Sequence, residues 1–182
     1  MIIMIMGVSG CGKTTVGRRV AKLLHTPFLD ADDLHPKSNI SKMKKGLPLT
    51  DEDRDPWLKR VAEEMVRLEG KGGGVVACSA LKGPYRRVLP GDATLQVLLV
   101  YLKGTRDTLY RRLRERKNHF MPPDLLNSQL KALEEPRDAL TLSIELSLEI
   151  ICERIVQHAV EEKGGHIGPP RRNVRKNDWV GG

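Results

Sequence analysis

Residues 2–14 read IIMIMGVSGCGKT, an apolar run followed by a glycine-rich turn. The apolar run predicts a strand that is buried on both faces, as is usual in parallel sheets. The segment from Gly7 to Thr14 fits the pattern G-x-x-x-x-G-K-[ST] in full. Backbone amides in such a loop point inward at phosphate oxygens, and the helix that follows adds its partial positive charge. The sequence therefore predicts a phosphate-binding loop between a buried strand and a helix.

Individual residues of this loop have predicted roles. Lys13 is expected to reach the β- and γ-phosphates of a nucleotide, and the Thr14 hydroxyl is expected to bind magnesium. The predicted nucleotide-binding residues here are Gly7, Ser9, Gly10, Cys11, Gly12, Lys13, Thr14 and Thr15. We interpret Cys11 as a small residue that the loop tolerates, and a reactive thiol is the less favoured alternative. ATP and Mg²⁺ are the ligands that the pattern predicts.

Strand and helix patterns alternate along the rest of the chain. Short runs that predict further strands lie at residues 27–29, 75–77, 97–101 and 140–144. Helical spacing of apolar residues occurs between these runs. This alternation predicts an α/β fold in which helices flank a central, mostly parallel sheet.

The helix predictions rest on apolar stripes and on end signals. The apolar face of the first helix is predicted at Val16, Val20, Leu23 and Leu24. A short helix is predicted near residues 40–45. A longer helix is predicted to begin at Asp55-Pro56, where an acidic cap precedes proline, and to end at the glycines of 70–74.

Composition limits the class of protein. The chain has 182 residues, ordinary apolar content and a net charge of +8, which favours an anionic partner. Three widely spaced cysteines form no metal or disulfide pattern, and no apolar run is long enough to cross a membrane. We expect a cytoplasmic protein with one domain at 1–163 and a flexible basic tail at 164–182.

Carboxylates follow the second predicted strand, at Asp30, Asp32 and Asp33. Ligands of parallel α/β sheets bind beyond the carboxyl ends of the strands. If this segment is extended, Asp30 and Asp32 point the same way and Asp33 points elsewhere. One carboxylate could orient or deprotonate an acceptor hydroxyl, and another could hold magnesium. An acidic turn before a helix is the alternative interpretation.

Further motifs occur in a fixed order from residue 2 to about residue 160. They are Asp30-Ala31-Asp32, His35-Pro36, Asn39, Lys42-Met43, Gly46, Pro48-Leu49, Asp51, Asp53-Arg54, Pro56-Trp57-Leu58, Cys78 to Lys82, Tyr85-Arg86, His119 to Pro122, Leu125-Leu126, Ser128-Gln129 and Glu134. Together with the phosphate loop, these motifs resemble those of the thermoresistant-type gluconokinases. The resemblance implies a nucleoside-monophosphate-kinase-like P-loop fold, ATP-dependent phosphorylation of D-gluconate at its 6-hydroxyl, and a homodimer. It also implies a substrate-binding insertion at about 36–58 and a lid at about 112–134.

The resemblance also suggests roles for polar residues outside the loop. Gluconate is a carboxylate with a row of hydroxyls. Arg54, Lys82 and Arg86 are candidates for its carboxylate, because arginine can bind a carboxylate through two hydrogen bonds. Asp32 and His35 are candidates for its hydroxyls. We expect Asp32 to face the attacking 6-hydroxyl, although positioning and charge stabilisation dominate in phosphoryl transfer.

Magnesium and the lid complete the predicted site. The strand at 75–77 ends in Cys78-Ser79 rather than in an acidic residue, so Thr14 and Asp30 are the candidate magnesium ligands. In the lid region, Arg112 is expected to contact the nucleotide and Arg116 to neutralise the transferred phosphoryl group. His119 is a candidate substrate ligand. A solvated basic helix face is the alternative for both arginines, as a structural hydrogen bond is for His119.

Two other function classes stay open at this point. The first is another small-molecule kinase on the same fold, of the shikimate or nucleoside-monophosphate type. The second is a basic nucleotide-sensing or RNA-binding protein without enzymatic activity. Aromatic residues make up only 4% of the chain, and no basic patch is interleaved with them to stack bases. Nucleic acid is therefore a disfavoured partner.

Overall fold

The computed structural model describes residues 1–90, 95–115 and 125–164. Its strands are β1 (Ile2–Met6), β2 (Phe28–Asp30), β3 (Gly74–Ala77), β4 (Val97–Lys103) and β5 (Leu140–Ser143). Its helices are α1 (Lys13–Leu23), α2 (Lys37–Lys44), α3 (Asp51–Glu69), α4 (Gly83–Val88), α5 (Arg106–Glu115), α6 (Leu125–Ala132) and α7 (Leu148–Gly164), and a 3₁₀ turn covers Ala31–Leu34. The predicted alternation of strands and helices is confirmed, whereas α4, α6 and the 3₁₀ turn were not predicted.

The strands of the described residues form one sheet in the order β2-β3-β1-β4-β5. Every neighbouring pair is parallel, so the predicted α/β fold with a mostly parallel sheet is confirmed. β1 lies in the centre, between β3 and β4. Because all five strands run the same way, their carboxyl ends meet at one edge of the sheet, where ligands of such folds bind.

The apolar run of β1 supplies both faces of the core. Ile3 and Ile5 belong to an apolar cluster that includes residues of α1 and α7. Ile2, Met4 and Met6 belong to the cluster on the opposite face, which includes residues of α3. Each side chain of this size stabilises the fold by about 1.5–3 kcal/mol when it is fully buried. Burial on both faces thus explains why β1 has no polar residue.

The apolar face of α1 differs from its prediction. Leu23 is 46% exposed, whereas Gly17 and Ala21 are buried. A Cβ atom at position 17 would lie 2.5 Å from a ring carbon of Phe28, so only glycine lets α1 approach β2 this closely. This close approach turns the buried face towards Gly17 and Ala21 and away from Leu23.

The predicted start of α3 is wrong. The helix begins at Asp51, and Pro56 lies inside it. Thr50 and Asp53 form a capping box, in which the Asp53 amide donates to the Thr50 hydroxyl at 3.2 Å and the Thr50 amide donates to Asp53 at 2.9 Å. Because the cap satisfies the first amides, the helix begins before its proline, and Pro56 removes one intrahelical hydrogen bond in the second turn.

Two further predictions concern membrane-spanning segments and the C-terminal tail. Within residues 1–90, 95–115 and 125–164, no helix combines the length and the apolar character that a membrane span needs. The predicted tail at 164–182 lies outside the described residues, apart from Gly164, which ends α7.

Candidate active site

The phosphate-binding loop connects β1 to α1, as the sequence predicts. Gly7, Gly10 and Gly12 have φ angles of 143°, 87° and 97°, which glycine adopts without strain. A Cβ atom on Gly7 would lie 2.8 Å from the sulfur of Cys11 and 2.9 Å from the carbonyl oxygen of Leu102. The loop therefore closes on itself only with glycine at this position. Cys11 is buried, in agreement with its interpretation as a small residue that the loop tolerates.

The first two residues of α1 carry the chemistry of the loop. The Lys13 ammonium donates to the Val8 carbonyl oxygen at 3.3 Å. The Thr14 hydroxyl donates to Oδ2 of Asp30 at 2.7 Å. Both candidate magnesium ligands thus lie together, and both offer oxygen atoms, the donors that Mg²⁺ prefers. No group of three or more His, Cys, Asp or Glu side chains among the described residues could hold a metal, so phosphate and water oxygens would complete the shell.

Asp30 and Asp32 occupy separate positions. Residues Ala31–Leu34 form a 3₁₀ turn, so the assumption of an extended segment is wrong. Oδ1 of Asp30 accepts a hydrogen bond from the Asp32 amide at 3.2 Å, a bond that stabilises such turns. Asp30 contacts Thr14, whereas Asp32 lines a cavity beside the loop. The two carboxylates are therefore placed for different tasks.

This cavity, which we call the polar cavity, has a volume of about 210 Å³. Its walls come from the loops after β1, β2, β3 and α2 and from the helices α1, α2, α3 and α6. It brings together six of the predicted site residues, which are Ser9, Lys13, Asp32, His35, Arg54 and Lys82. A concave site with a few converging polar groups is typical of small-molecule binding.

His35 forms part of the cavity wall as a neutral side chain. Its ring stacks on Trp57, with centroids 4.4 Å apart and planes at 12°. Asn39 donates to the Asp53 carbonyl oxygen at 2.7 Å, and its Nδ2 lies 3.5 Å from Nδ1 of His35. Burial and the nearby Arg54 lower the pKa of His35 from 6.5 to about 4. A neutral imidazole at pH 7 has one hydrogen-bond donor and one acceptor, so it can bind hydroxyl groups without adding a charge to the site.

The pKa of His35 predicts a dependence of stability on pH. The folded protein binds this proton only near pH 4, whereas the unfolded chain binds it near pH 6.5. Stability is therefore fully present above pH 6.5 and is lost as the pH falls towards 4. Between pH 7 and pH 4.5, the unfolding free energy of the wild type should fall by about 2 kcal/mol more than that of His35→Gln. Urea unfolding at both pH values measures this, and equal losses would contradict it.

Four polar side chains meet at the mouth of the polar cavity. The Lys82 ammonium donates to both carboxylate oxygens of Asp51, at 2.7 and 2.8 Å, and the Tyr85 hydroxyl donates to the same carboxylate. Arg54 lies 3.6 Å from Asp51 and donates to the Tyr85 oxygen at 3.4 Å. Hydrogen bonds from Lys82 and Tyr85 lower the pKa of Asp51. With two cations and one carboxylate, the cluster keeps an excess positive charge that suits an anionic ligand.

Comparison with known proteins shows the family. Residues 9–154 match the family model described as Shikimate kinase. The thermosensitive gluconokinase of Escherichia coli (strain K12) is 47% identical over 158 residues, which cover 84% of this chain and 84% of that protein. The gluconokinase of Gluconobacter oxydans (strain 621H) is 42% identical over 161 residues, covering 86% of this chain and 89% of that protein. The chain belongs to the gluconokinase family.

A solved structure of the same family agrees with this fold. A gluconokinase from Sinorhizobium meliloti 1021 has a TM-score of 0.80 and is 38% identical, and the match covers 91% of this chain and 97% of that chain. The resemblance seen in the sequence, the P-loop kinase fold and the assignment to the kinases are thereby confirmed.

Other predicted residues of this gluconokinase-family chain lie outside the polar cavity. Arg86 donates through Nη1 to the carbonyl oxygens of Ala80 and Leu81, at 2.9 and 3.0 Å, and does not line the cavity. Arg112 lies in α5 and lines a second cavity, of about 370 Å³, on the side of the phosphate loop near Gly12 and Thr15. Its guanidinium donates to the Ile144 carbonyl oxygen at 2.8 Å. This second cavity could accommodate the base of a nucleotide.

Two predicted residues, Arg116 and His119, lie outside the described residues. Conversely, Asp51 and Gln129 had no predicted role beyond their place in gluconokinase motifs. A local signal for Asp51 existed, because the T-x-x-D pattern that starts at Thr50 marks a helix start and places Asp51 in the first turn. No local signal predicts the contact of Gln129 with the phosphate loop, which joins residues 120 positions apart.

Proposed function

We propose that this protein transfers the γ-phosphoryl group of ATP to the 6-hydroxyl of D-gluconate, giving 6-phospho-D-gluconate and ADP. The proposal rests on one observation. The polar cavity is lined both by Lys13 of the phosphate loop and by the cations Arg54 and Lys82. Lys13 binds the phosphates of ATP, and Lys82 and Arg54 bind the carboxylate of the acceptor. The relatives that match most of the chain are named as gluconokinases, which supports gluconate as the acceptor.

The polar cavity suits the acceptor in its chemistry. An aldonate needs a cation for its carboxylate and hydrogen-bonding groups for its hydroxyls. The cluster around Lys82 meets the first need, and neutral His35 meets the second. Asp32 then lies where the terminal hydroxyl meets the phosphoryl donor. We place Arg86 in this scheme as a support for the loop that carries Lys82, through its hydrogen bonds to two carbonyl oxygens of that loop.

The transfer itself needs little covalent chemistry from the protein. The 6-oxygen forms a bond to the γ-phosphorus while the bond to the β,γ-bridging oxygen breaks. Asp32 orients the hydroxyl and accepts its proton, and Lys13 stabilises the charge on the phosphate oxygens. Mg²⁺ held near Thr14 and Asp30 would neutralise charge on the β- and γ-phosphates.

Several finer assignments stay predictions. They are nucleotide contacts from Arg112, charge neutralisation by Arg116, substrate binding by His119, the homodimer and the cytoplasmic location. The substrate-binding insertion at 36–58 and the lid at 112–134 are also predictions, although α3 and α5 cross two of these boundaries.

The test is a coupled assay with an acceptor panel. Protein, ATP and Mg²⁺ are mixed with D-gluconate, and 6-phosphogluconate is detected by its dehydrogenase. Shikimate runs alongside because the matching family model bears its name, together with nucleoside monophosphates and other sugar acids, scored by ADP release. Preferred turnover of gluconate supports the proposal, and preferred turnover of another acceptor refutes it while leaving a P-loop kinase.

Substitution of Lys82 tests the carboxylate end of the site. Lys82→Met should raise the KM for gluconate about tenfold, because a charge-assisted hydrogen bond is lost and Asp51 then repels the carboxylate. The KM for ATP should change by less than about twofold. Lys103→Met is the matched control, because Lys103 also pairs with a carboxylate, Glu135 at 2.8 Å, but does not line the cavity. Equal effects of the two substitutions would contradict the assignment.

A further inference from the structure

Residues 125–134, which we call the strap, connect two functional loops. The strap consists of α6 and the two residues after it. At one point the Ser9 amide of the phosphate loop donates to Oε1 of Gln129 at 2.7 Å. At the end, the Gly83 amide donates to Glu134 at 2.7 Å, and the Glu134 amide donates to the Leu81 carbonyl oxygen at 2.9 Å. The strap is thus bonded to the loop that holds the nucleotide phosphates and to the loop that carries Lys82.

The hydrogen bond from Ser9 to Gln129 satisfies a buried backbone amide of the phosphate loop. Ser9 is only 9% exposed, so its backbone amide is largely shielded from water and leaving it unpaired would cost free energy. Gln129 supplies the acceptor from a helix far along the chain. If the acceptor is removed, the amide is left buried without this bond and the polar attachment of α6 to the phosphate loop is weakened.

The contact at Glu134 controls the geometry at the mouth of the cavity. Ala80 is fully buried and has a φ of 41°, an unusual conformation for a residue with a side chain. The surrounding structure must hold this loop in place, and both hydrogen bonds of Glu134 do so beside Lys82. A displacement of the strap would therefore move the ammonium group that we assign to the substrate carboxylate.

The strap is also a wall of the polar cavity. Leu125, Ser128, Gln129 and Ala132 line the cavity, while Leu126 is 1% exposed and belongs to the apolar core. The strap is therefore a packed element that can transmit a displacement from one loop to the other.

We infer that Gln129 is a positioning residue that makes acceptor binding depend on the nucleotide. The inference rests on the proposed function. Phosphates that bind the neighbouring amides of the loop hold its backbone in the conformation in which the Ser9 amide donates to Gln129. When α6 is held in this way, Glu134 at the end of the strap is also held in place. Its hydrogen bonds then keep the loop that carries Lys82 in the arrangement that binds a carboxylate. Because coupling between two sites is reciprocal, the acceptor must tighten nucleotide binding by the same factor.

Calorimetric titration measures the coupling. The dissociation constant of D-gluconate is determined with the protein alone and with the protein saturated by a non-hydrolysable ATP analogue and Mg²⁺. In the wild type, the analogue should tighten gluconate binding about fivefold or more, the effect of one typical hydrogen bond. In Gln129→Met, which keeps the side-chain length but lacks the acceptor, the ratio should fall to within twofold of one. Lys131→Met, an exposed residue of the same helix, should keep the wild-type ratio.

Each outcome decides the inference. A wild-type ratio near one, or an unchanged ratio in Gln129→Met, overturns it. If Gln129→Met does not fold, as judged by circular dichroism, Glu134→Leu at the exposed end of the strap takes its place, and an unchanged ratio there overturns it equally. Failure of the proposed function is separate, because the wild type would then not phosphorylate gluconate. The coupling is in that case measured with the acceptor that the panel identifies.

Discussion

Replacing Lys13 with methionine is expected to lower kcat for gluconate phosphorylation about a thousandfold. The side chain lies beside the polar cavity, and its ammonium reaches the Val8 carbonyl oxygen at 3.3 Å, so it is held over the phosphate loop. Negative charge on the phosphate oxygens shifts during transfer, and a fixed cation stabilises that change without reorganisation. Methionine keeps the length and loses the charge. Initial rates at saturating ATP and gluconate measure the effect.

A matched control distinguishes the effect of losing the charge at the phosphate loop from the effect of losing any lysine charge of α1. Lys22 lies in the last turn of the same helix α1 and is exposed. Lys22→Met should leave kcat within about twofold of the wild type, because the charge lies at the opposite end of α1 from the loop. The unfolding free energy of both variants should stay close to that of the wild type. A kcat for Lys13→Met within tenfold of the wild type would show that another group stabilises the phosphates.

The central part of the fold was predictable because its signals are local. A buried strand, a glycine loop and an amphipathic helix follow each other within residues 2–24, and each is recognisable without knowledge of the rest of the chain. Parallel pairing followed from alternation of strands and helices. The carboxyl edge of the sheet then placed Asp30 and Asp32 near the loop, as the structure shows.

The errors occurred where a local cap was missed or where a distant contact overrides a local signal. The proline at 56 suggested a helix start, but α3 begins at Asp51 because Thr50 caps it and because Lys42 pairs with Asp53 at 2.7 Å. Leu23 fits an apolar stripe, but the close approach of α1 to Phe28 turns it outward. The Thr50 cap is visible in a window of four residues, whereas the pairing of Lys42 with Asp53 and the contact with Phe28 are not.

The candidate site shows the same division. Residues whose own side-chain chemistry suits a ligand, such as Lys13, His35 and Lys82, were predicted from motifs and line the polar cavity. Residues that position others, such as Asp51 and Gln129, had no predicted role. Their partners lie 34 and 120 positions away in the chain, at Tyr85 and Ser9. Positioning depends on tertiary contacts, and these appear only in the structure.

Replacement of Asp32 with asparagine is expected to lower kcat between about a hundredfold and a thousandfold. Asparagine preserves the shape and can still accept a hydrogen bond from the 6-hydroxyl, but it cannot take the proton. The KM for ATP should change by less than about twofold, because the loop amides and Lys13 bind the phosphates. Asp33→Asn is the matched control, since Asp33 is the exposed neighbour and does not line the cavity.

The pH dependence of kcat/KM distinguishes proton acceptance by Asp32 from orientation alone. If the carboxylate accepts the proton, wild-type activity falls on the acidic side as Asp32 becomes protonated, and Asp32→Asn loses this limb of the profile. If the carboxylate only orients the hydroxyl, asparagine retains most of the rate, because it can still accept the same hydrogen bond. A kcat within tenfold of the wild type with an unchanged profile would therefore exclude Asp32 as the base, and the proton would then pass directly to the phosphoryl group or to water.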